Sequence, residues 1–184
     1  MTQSGEQSEQ TAQLQPIIGP LTDQEQLAAL EAVRRHMAQR SIRYRIVGPE
    51  LLIDKPPSRD ASSARQIRAL VIDYDNMANL QIVMQPGGNI VDAQRIDWQP
   101  PFTAEEIDEA RQIAESDERV ARIIRQEGVS LITFGPPASA TATATMPRLI
   151  GLRYVVMVES RMGLVRVVVN LSTRTLGEVQ ESEQ

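Results

Sequence analysis

Residues 99–128 read QPPFTAEEIDEARQIAESDERVARIIRQEG, and how this stretch is read decides the fold. It repeats the pattern of GPLTDQEQLAALEAVRR at 19–35: Pro, an apolar residue, Thr, an acidic and Gln-rich turn, then apolar residues at helical spacing. Thr103 lies 81 positions beyond Thr22 in a chain of 184 residues. A chain that opens the same way twice is expected to hold two units of one design.

Both helix starts are chemically explicit. Thr103 and Glu106 have the spacing of a capping box, in which each side chain satisfies the other residue's free backbone N–H. Phe102 and Ile107 stand at the positions of a hydrophobic staple around that cap. Thr22 and Glu25 repeat the box, with Gln26 where the apolar staple partner of Leu21 would be. The spacing then predicts one apolar helical face from Leu27, Leu30, Val33 and Met37, and a second from Ile107, Ala110, Ile113 and Ala114. A further helix capped by Ser116 is expected to turn Val120, Ile123 and Ile124 inward and to end at Gly128.

After each helix the periodicity becomes that of strands. The first pass predicts YRIVG, ELLID, IRALVIDYD, LQIVMQ and NIVDAQRI, with a turn at Asp75, Asn76 and Asn79 and another at Gly87-Gly88-Asn89. The second predicts VSLITFG, LIGLRYVVMVES, LVRVVVN and TLGEVQ, with turns at Met162-Gly163 and at Ser172 to Arg174. KPPSRDASSAR and GPPASATATATM each place a Pro-Pro before a small, polar loop predicted to be mobile. Helices on one face of a curled antiparallel sheet give an α+β fold, and one helix cradled by four such strands is cystatin-like in outline. The expected organisation is a disordered polar leader at 1–15, two tandem cystatin-like repeats at 16–98 and 99–180, and a frayed tail at 181–184. Units this small are expected to pack against each other, with Trp98 anchoring the linker between them.

Composition narrows the function classes. Lys and Arg number 19 against 24 Asp and Glu, a net charge of −5, which argues against a nucleic-acid binder. The absence of cysteine excludes disulfides, thiolate catalysis and Cys-ligated zinc. No run approaches the length of a membrane span, and the polar leader lacks the apolar region of a signal peptide. The chain therefore reads as soluble, with no membrane insertion and its compartment unassigned. The leader reads as disordered, or as a linker left after a signal or anchor has been removed.

The run PPFTAEEIDEARQIAESDERVARIIRQEGVS resembles the start of the third amino-terminal domain of copper amine oxidases. GPLTDQEQLAALEAVRR looks like the opening of the preceding domain in the same enzymes. The hairpins VIDYDNMANLQIVMQPGGNIVD and VVMVESRMGLVRVVVNLSTRTLGEV are similar to the strand pairs that follow in each. The resemblance covers about residues 16–180 and implies a cystatin-like fold and a non-catalytic, accessory role. It carries over no functional residue. Topaquinone would need Tyr after Asn, and the nearest string here is Asp73-Tyr74-Asp75; copper would need three His, and His36 is the only one.

No other pattern assigns chemistry. His36 reads as a surface or boundary histidine, and the scattered Met1, Met37, Met77, Met84, Met146, Met157 and Met162 as core and turn packing. Asp73, Tyr74, Asp75 and Asn76 with Asp92 lack the spacing of a calcium loop and read as a polar turn. Glu105, Glu106, Asp108, Glu109, Glu115, Asp117 and Glu118 read as capping, dipole-complementing and solvated carboxylates, with docking of a basic partner surface as the alternative. Pro86-Gly87-Gly88 is a turn rather than a phosphate loop. Asn170-Leu171-Ser172 fits a glycosylation acceptor, which matters only in a secreted eukaryotic protein.

The sequence thus assigns no catalytic, cofactor-binding or metal-ligating residue and no cofactor. It points to a non-enzymatic protein-binding or assembly module, with a protein partner or self-association through exposed strand edges or the loops at 56–64 and 136–146. The alternatives are a small-ligand carrier with a pocket between helix and sheet, and an accessory subunit of an oxidase.

Overall fold

Both capping boxes form. In the computed structural model, which describes residues 19–52, 65–125, 129–137, 146–158 and 161–183, Thr22 Oγ1 accepts from Glu25 N at 3.2 Å while Thr22 N donates to Glu25 Oε2 at 2.8 Å. Thr103 and Glu106 do the same at 3.2 and 3.0 Å. The boxes start helices α1 (Asp23–Met37) and α2 (Ala104–Glu115). Each satisfies backbone donors that a helix start leaves without intrahelical partners.

The buried face of α1 differs from the predicted stripe. Ala29, Ala32, Val33 and Met37 are buried with Glu25, while Leu27 is 56% exposed. Glu25 and Ala29 fix the inward azimuth, and Leu27, two residues on from Glu25, falls about 200° around the helix. Helix α3 (Glu118–Ile124) also starts one residue later than predicted. Its cap is Asp117, whose carboxylate accepts from Arg119 N and Val120 N at 3.0 and 3.3 Å. Ser116 instead closes α2, donating from Oγ to Ile113 O at 2.7 Å. The Gly128 stop lies outside the described residues.

The strands form two four-stranded antiparallel sheets: β1 (Tyr44–Leu52), β2 (Gln66–Asp73), β3 (Ala78–Met84) and β4 (Ile90–Ile96), then β5 (Ser130–Gly135), β6 (Leu149–Val158), β7 (Arg161–Asn170) and β8 (Thr175–Glu183). Strand order follows chain order in both. Among the described residues the fold is α+β with three helices.

Four expectations need correction here. YRIVG and ELLID are one strand, β1, with a register shift between Val47 and Glu50. Gly48 sits at φ +97° and Pro49 has no N–H, so the ladder is interrupted without the strand ending. Asn79 belongs to β3, opposite Ile72, rather than to the turn before it. Met162 and Gly163 are inside β7, paired with Met157 and Val156. The pairing of Val158 with Arg161 leaves the connection to 159–160, outside the described residues, because the apolar run Val155 to Val158 continues the strand. Finally, β8 continues to Glu183, through residues expected to fray, since Glu181, Ser182 and Glu183 pair with Val165, Leu164 and Gly163 and polar side chains suit an edge strand. The leader at 1–15 lies outside the described residues.

Two cores result. Ala29, Val33 and Met37 of α1 pack on Ile67, Val71, Ile82 and Met84 of the first sheet. Ala110, Ala114 and Val120 of α2 and α3 pack on Ile150, Leu152, Val167 and Val169 of the second. The second core also takes in Ile72 and Tyr74 from the first sheet's other side, with Val47 packed against it. Strand β2 is thus covered on both faces, which is why IRALVIDYD is apolar almost throughout instead of alternating. The two sheets pack together as expected, but Val47, Ile72 and Tyr74 make the contact. Trp98 is 41% exposed and does not anchor it.

Candidate functional site

The densest polar cluster lies where α2 meets both sheets. Glu106, the third residue of α2, faces inward because the capping box bends its carboxylate back over the helix start. Arg148, immediately before β6, meets it: Nε reaches Glu106 Oε1 at 2.8 Å and Nη2 reaches Oε2 at 2.8 Å. The same guanidinium donates to Pro100 O and Pro101 O at 2.8 and 3.0 Å and lies 4.2 Å from the Phe102 ring centroid. Tyr74 completes the group by donating its hydroxyl to Glu106 Oε1 at 2.6 Å. Burial alone would raise the Glu106 carboxyl, but the Arg148 bonds and charge hold it below the usual range. Tyr74 moves the opposite way, its hydroxyl pushed up first by burial and then by the Glu106 carboxylate.

One turn along α2, Glu109 gathers three arginines: Arg43 at 3.2 Å, Arg45 at 2.8 Å and Arg174 at 2.8 Å. Arg43 also donates to Ser172 O at 2.7 Å and to Leu171 O, and its guanidinium lies over the Tyr74 ring. Segments before and within β1, the first turns of α2 and the β7–β8 turn are thereby tied together. Every charge here has a partner, and the carboxylates lie deep in helix and sheet. The arrangement ties the two sheets together through ion pairs and carbonyl contacts.

The first unit carries the same clamp. Arg65, immediately before β2, donates from Nε to Glu25 Oε1 at 2.8 Å and from Nη2 to Oε2 at 3.0 Å. It also reaches Gly19 O and Pro20 O at 3.1 and 2.9 Å. These are the partners Arg148 has at Glu106, Pro100 and Pro101, in the same order. Hydrogen bonding to Arg65 outweighs desolvation and lowers Glu25 to about 2. Sequence reasoning passed over both arginines. The available signal was that an arginine follows each Pro-Pro loop immediately ahead of the next strand, Arg65 before β2 and Arg148 before β6.

The residues singled out from sequence take ordinary places. The Asp75 carboxylate accepts from Ile42 N and Arg43 N at 2.8 Å each and from Ser41 Oγ, and Asp73 accepts from Asn76, while Asp92 stands apart on β4. Among the described residues no group of three His, Asp or Glu could hold a metal ion. His36 is partly buried, and that burial, with Arg40 nearby, lowers its pKa. Met37 and Met84 fill the first core, Met146 packs on the second and Met77 is exposed in a turn. Met1 and the side chains of Met157 and Met162 lie outside the described residues. The acidic residues of α2 divide: Glu106 and Glu109 already have basic partners within the chain, and Glu105, Asp108 and Glu115 face solvent. Asn170 Oδ1 accepts from Ser172 N and Thr173 N, and Leu171 is buried.

Among the described residues β1, β4, β5 and β8 each pair on one side only, and the five central residues of β4 are exposed. The loops at 56–64 and 138–145 lie outside the described residues. No described helix is long and apolar enough to cross a membrane. No protein-family model matches the chain, and no curated protein sequence matches it.

Proposed function

We propose that the chain is a non-enzymatic protein-binding or assembly module built of two tandem cystatin-like units akin to the second and third accessory domains of copper amine oxidases. What supports the duplication is the repeated clamp: capping-box Glu, pre-strand Arg and two pre-helix carbonyls recur in each half. The observation that carries the binding role is the outer edge of β4, seven residues without a partner strand among those described. Such an edge templates the addition of an extended segment. Edge β1 is less suited, because Pro49 removes a donor and the bulge breaks the register. Edge β8 carries Glu178 and Glu181, which repel an acidic partner.

The test is capture and mass measurement. The chain is immobilised and challenged with lysate, and its own mass in solution is read by light scattering. Reproducible recovery of one polypeptide, or a particle above 20.4 kDa, is expected, and Val91→Lys with Ala93→Lys on the β4 edge should abolish it. A monomer that captures nothing would overturn the reading.

A further inference from the structure

The face of the second sheet turned away from α2 carries two arginines directly opposite each other. Arg153 on β6 is in register with Arg166 on β7. Their neighbours Leu152, Tyr154, Val165 and Val167 are buried in the core, so alternation sends both arginines to the outer face, where both are exposed. Like charges directly opposite on an antiparallel pair are unfavourable. Neither guanidinium has an ion pair or hydrogen bond with a described residue, in contrast to Arg43, Arg45, Arg65 and Arg148.

A cleft of about 490 Å³ opens over this pair. Besides Arg153 and Arg166 its walls include Glu178, Phe134, Pro136 and Val168. Gly151 forms part of the floor, beside the Pro136–Pro137 wall. The volume is within the range of small-ligand sites. Two positive charges and the Glu178 carboxylate leave one positive unit in the cleft. That balance suits a monoanion, and the planar guanidinium fork matches a carboxylate. Phe134, Pro136 and Val168 offer apolar surface beside it.

We propose that this cleft binds a small molecule with one carboxylate on an apolar body, the carboxylate held between Arg153 and Arg166. The site is separate from the β4 edge, so it stands or falls independently of the assembly role. It also lies on the opposite face of the sheet from the helix-and-sheet pocket that a carrier of this fold would suggest.

The test is isothermal titration calorimetry on the full chain with octanoate, 3-phenylpropanoate, 1-octanol and inorganic phosphate. Saturable binding of at least one of the two carboxylates is expected, with 1-octanol and phosphate at least about tenfold weaker. Arg153→Gln and Arg166→Gln should each weaken the carboxylate about tenfold, and Glu178→Gln should strengthen it. Unliganded, both arginine variants should keep or raise the urea midpoint, since a like-charge contact is removed, and this separates loss of binding from loss of fold. Three results would each overturn the assignment: no saturable carboxylate binding, binding indifferent to both arginine variants, or phosphate or octanol bound as well as the carboxylate.

Discussion

Arg148 and Glu106 form a bidentate pair, 2.8 Å on each arm, with both side chains at 0% exposure. Desolvating two charges costs several kcal/mol per ion, and only good geometry with further hydrogen bonds recovers it. Here Pro100 O, Pro101 O, Tyr74 and the Thr103 N–H supply those bonds. The pair joins the start of α2 to the start of β6, so helix and sheet are registered by one contact between residues 42 apart in sequence.

Removing one partner should therefore cost far more than a surface pair would. Arg148→Met leaves a buried carboxylate unpaired and is expected to destabilise by about 3–5 kcal/mol. Arg65→Met, whose guanidinium keeps some contact with solvent at 14% exposure, should cost less, about 1–3 kcal/mol. Urea unfolding at neutral pH measures both. Equal small losses would mean that the buried pair is no more than a surface contact.

The first clamp should also be visible in acid. Glu25 is lowered from 4.5 to about 2, chiefly by its hydrogen bond to Arg65. A depressed carboxyl contributes stability that is fully present above its unfolded value and is lost as pH falls through the folded one. The urea midpoint should fall between about pH 4.5 and pH 2, and Glu106, shifted in the same direction, adds to the slope. In Arg65→Gln the Glu25 share should shrink to what the Thr22 hydrogen bonds leave, and the acid limb flatten. An unchanged limb in that variant would remove Arg65 as the cause.

Much of this architecture was legible in the sequence, because it rests on local chemistry. The two threonine–glutamate boxes, the Pro86–Gly88 turn and most strands follow from spacing and turn residues alone. What was missed depends on partners distant in the chain. Leu27 looks like a core residue until the inward azimuth of α1 is known, and that azimuth is set by Glu25 meeting Arg65, 40 residues away. Val47 and Glu50 read as two strands because a bulge of Gly and Pro is indistinguishable locally from a turn. Arg43, Arg45 and Arg174 gave no signal as separate basic residues, and only the fold brings them to Glu109.

Gly88 sets how close the β3–β4 turn comes to α1. It sits at φ +80°, and a Cβ there would lie 2.8 Å from Ala28 O, closer than any tolerated contact. Gly88→Ala must therefore strain the backbone and push the turn off the helix, at a cost above about 1 kcal/mol. Gly87→Ala meets nothing within 4 Å and should stay within about 0.5 kcal/mol of the parent. Thermal unfolding of the two variants side by side makes the comparison. Similar losses would place the strain elsewhere in the turn.

Glu109 offers the sharpest test of whether the halves act as one body. Its carboxylate, 11% exposed, is the shared partner of Arg43 and Arg45 at β1 and of Arg174 beside β8. Glu109→Gln leaves three guanidinium groups crowded without a counter-charge, so the loss exceeds a single exposed pair and should reach about 1–3 kcal/mol. The penalty falls on the junction rather than on either core, since α1 with its sheet and α2 with its sheet keep their apolar contacts. The parent should unfold in one transition, because Ile72 and Tyr74 belong to the second core while their strand belongs to the first sheet. In Glu109→Gln the transition should broaden or split, with probes in the two halves no longer coincident. Coincident transitions at a lowered midpoint would instead assign the coupling to the apolar contact of Val47, Ile72 and Tyr74, leaving the charge cluster a local role.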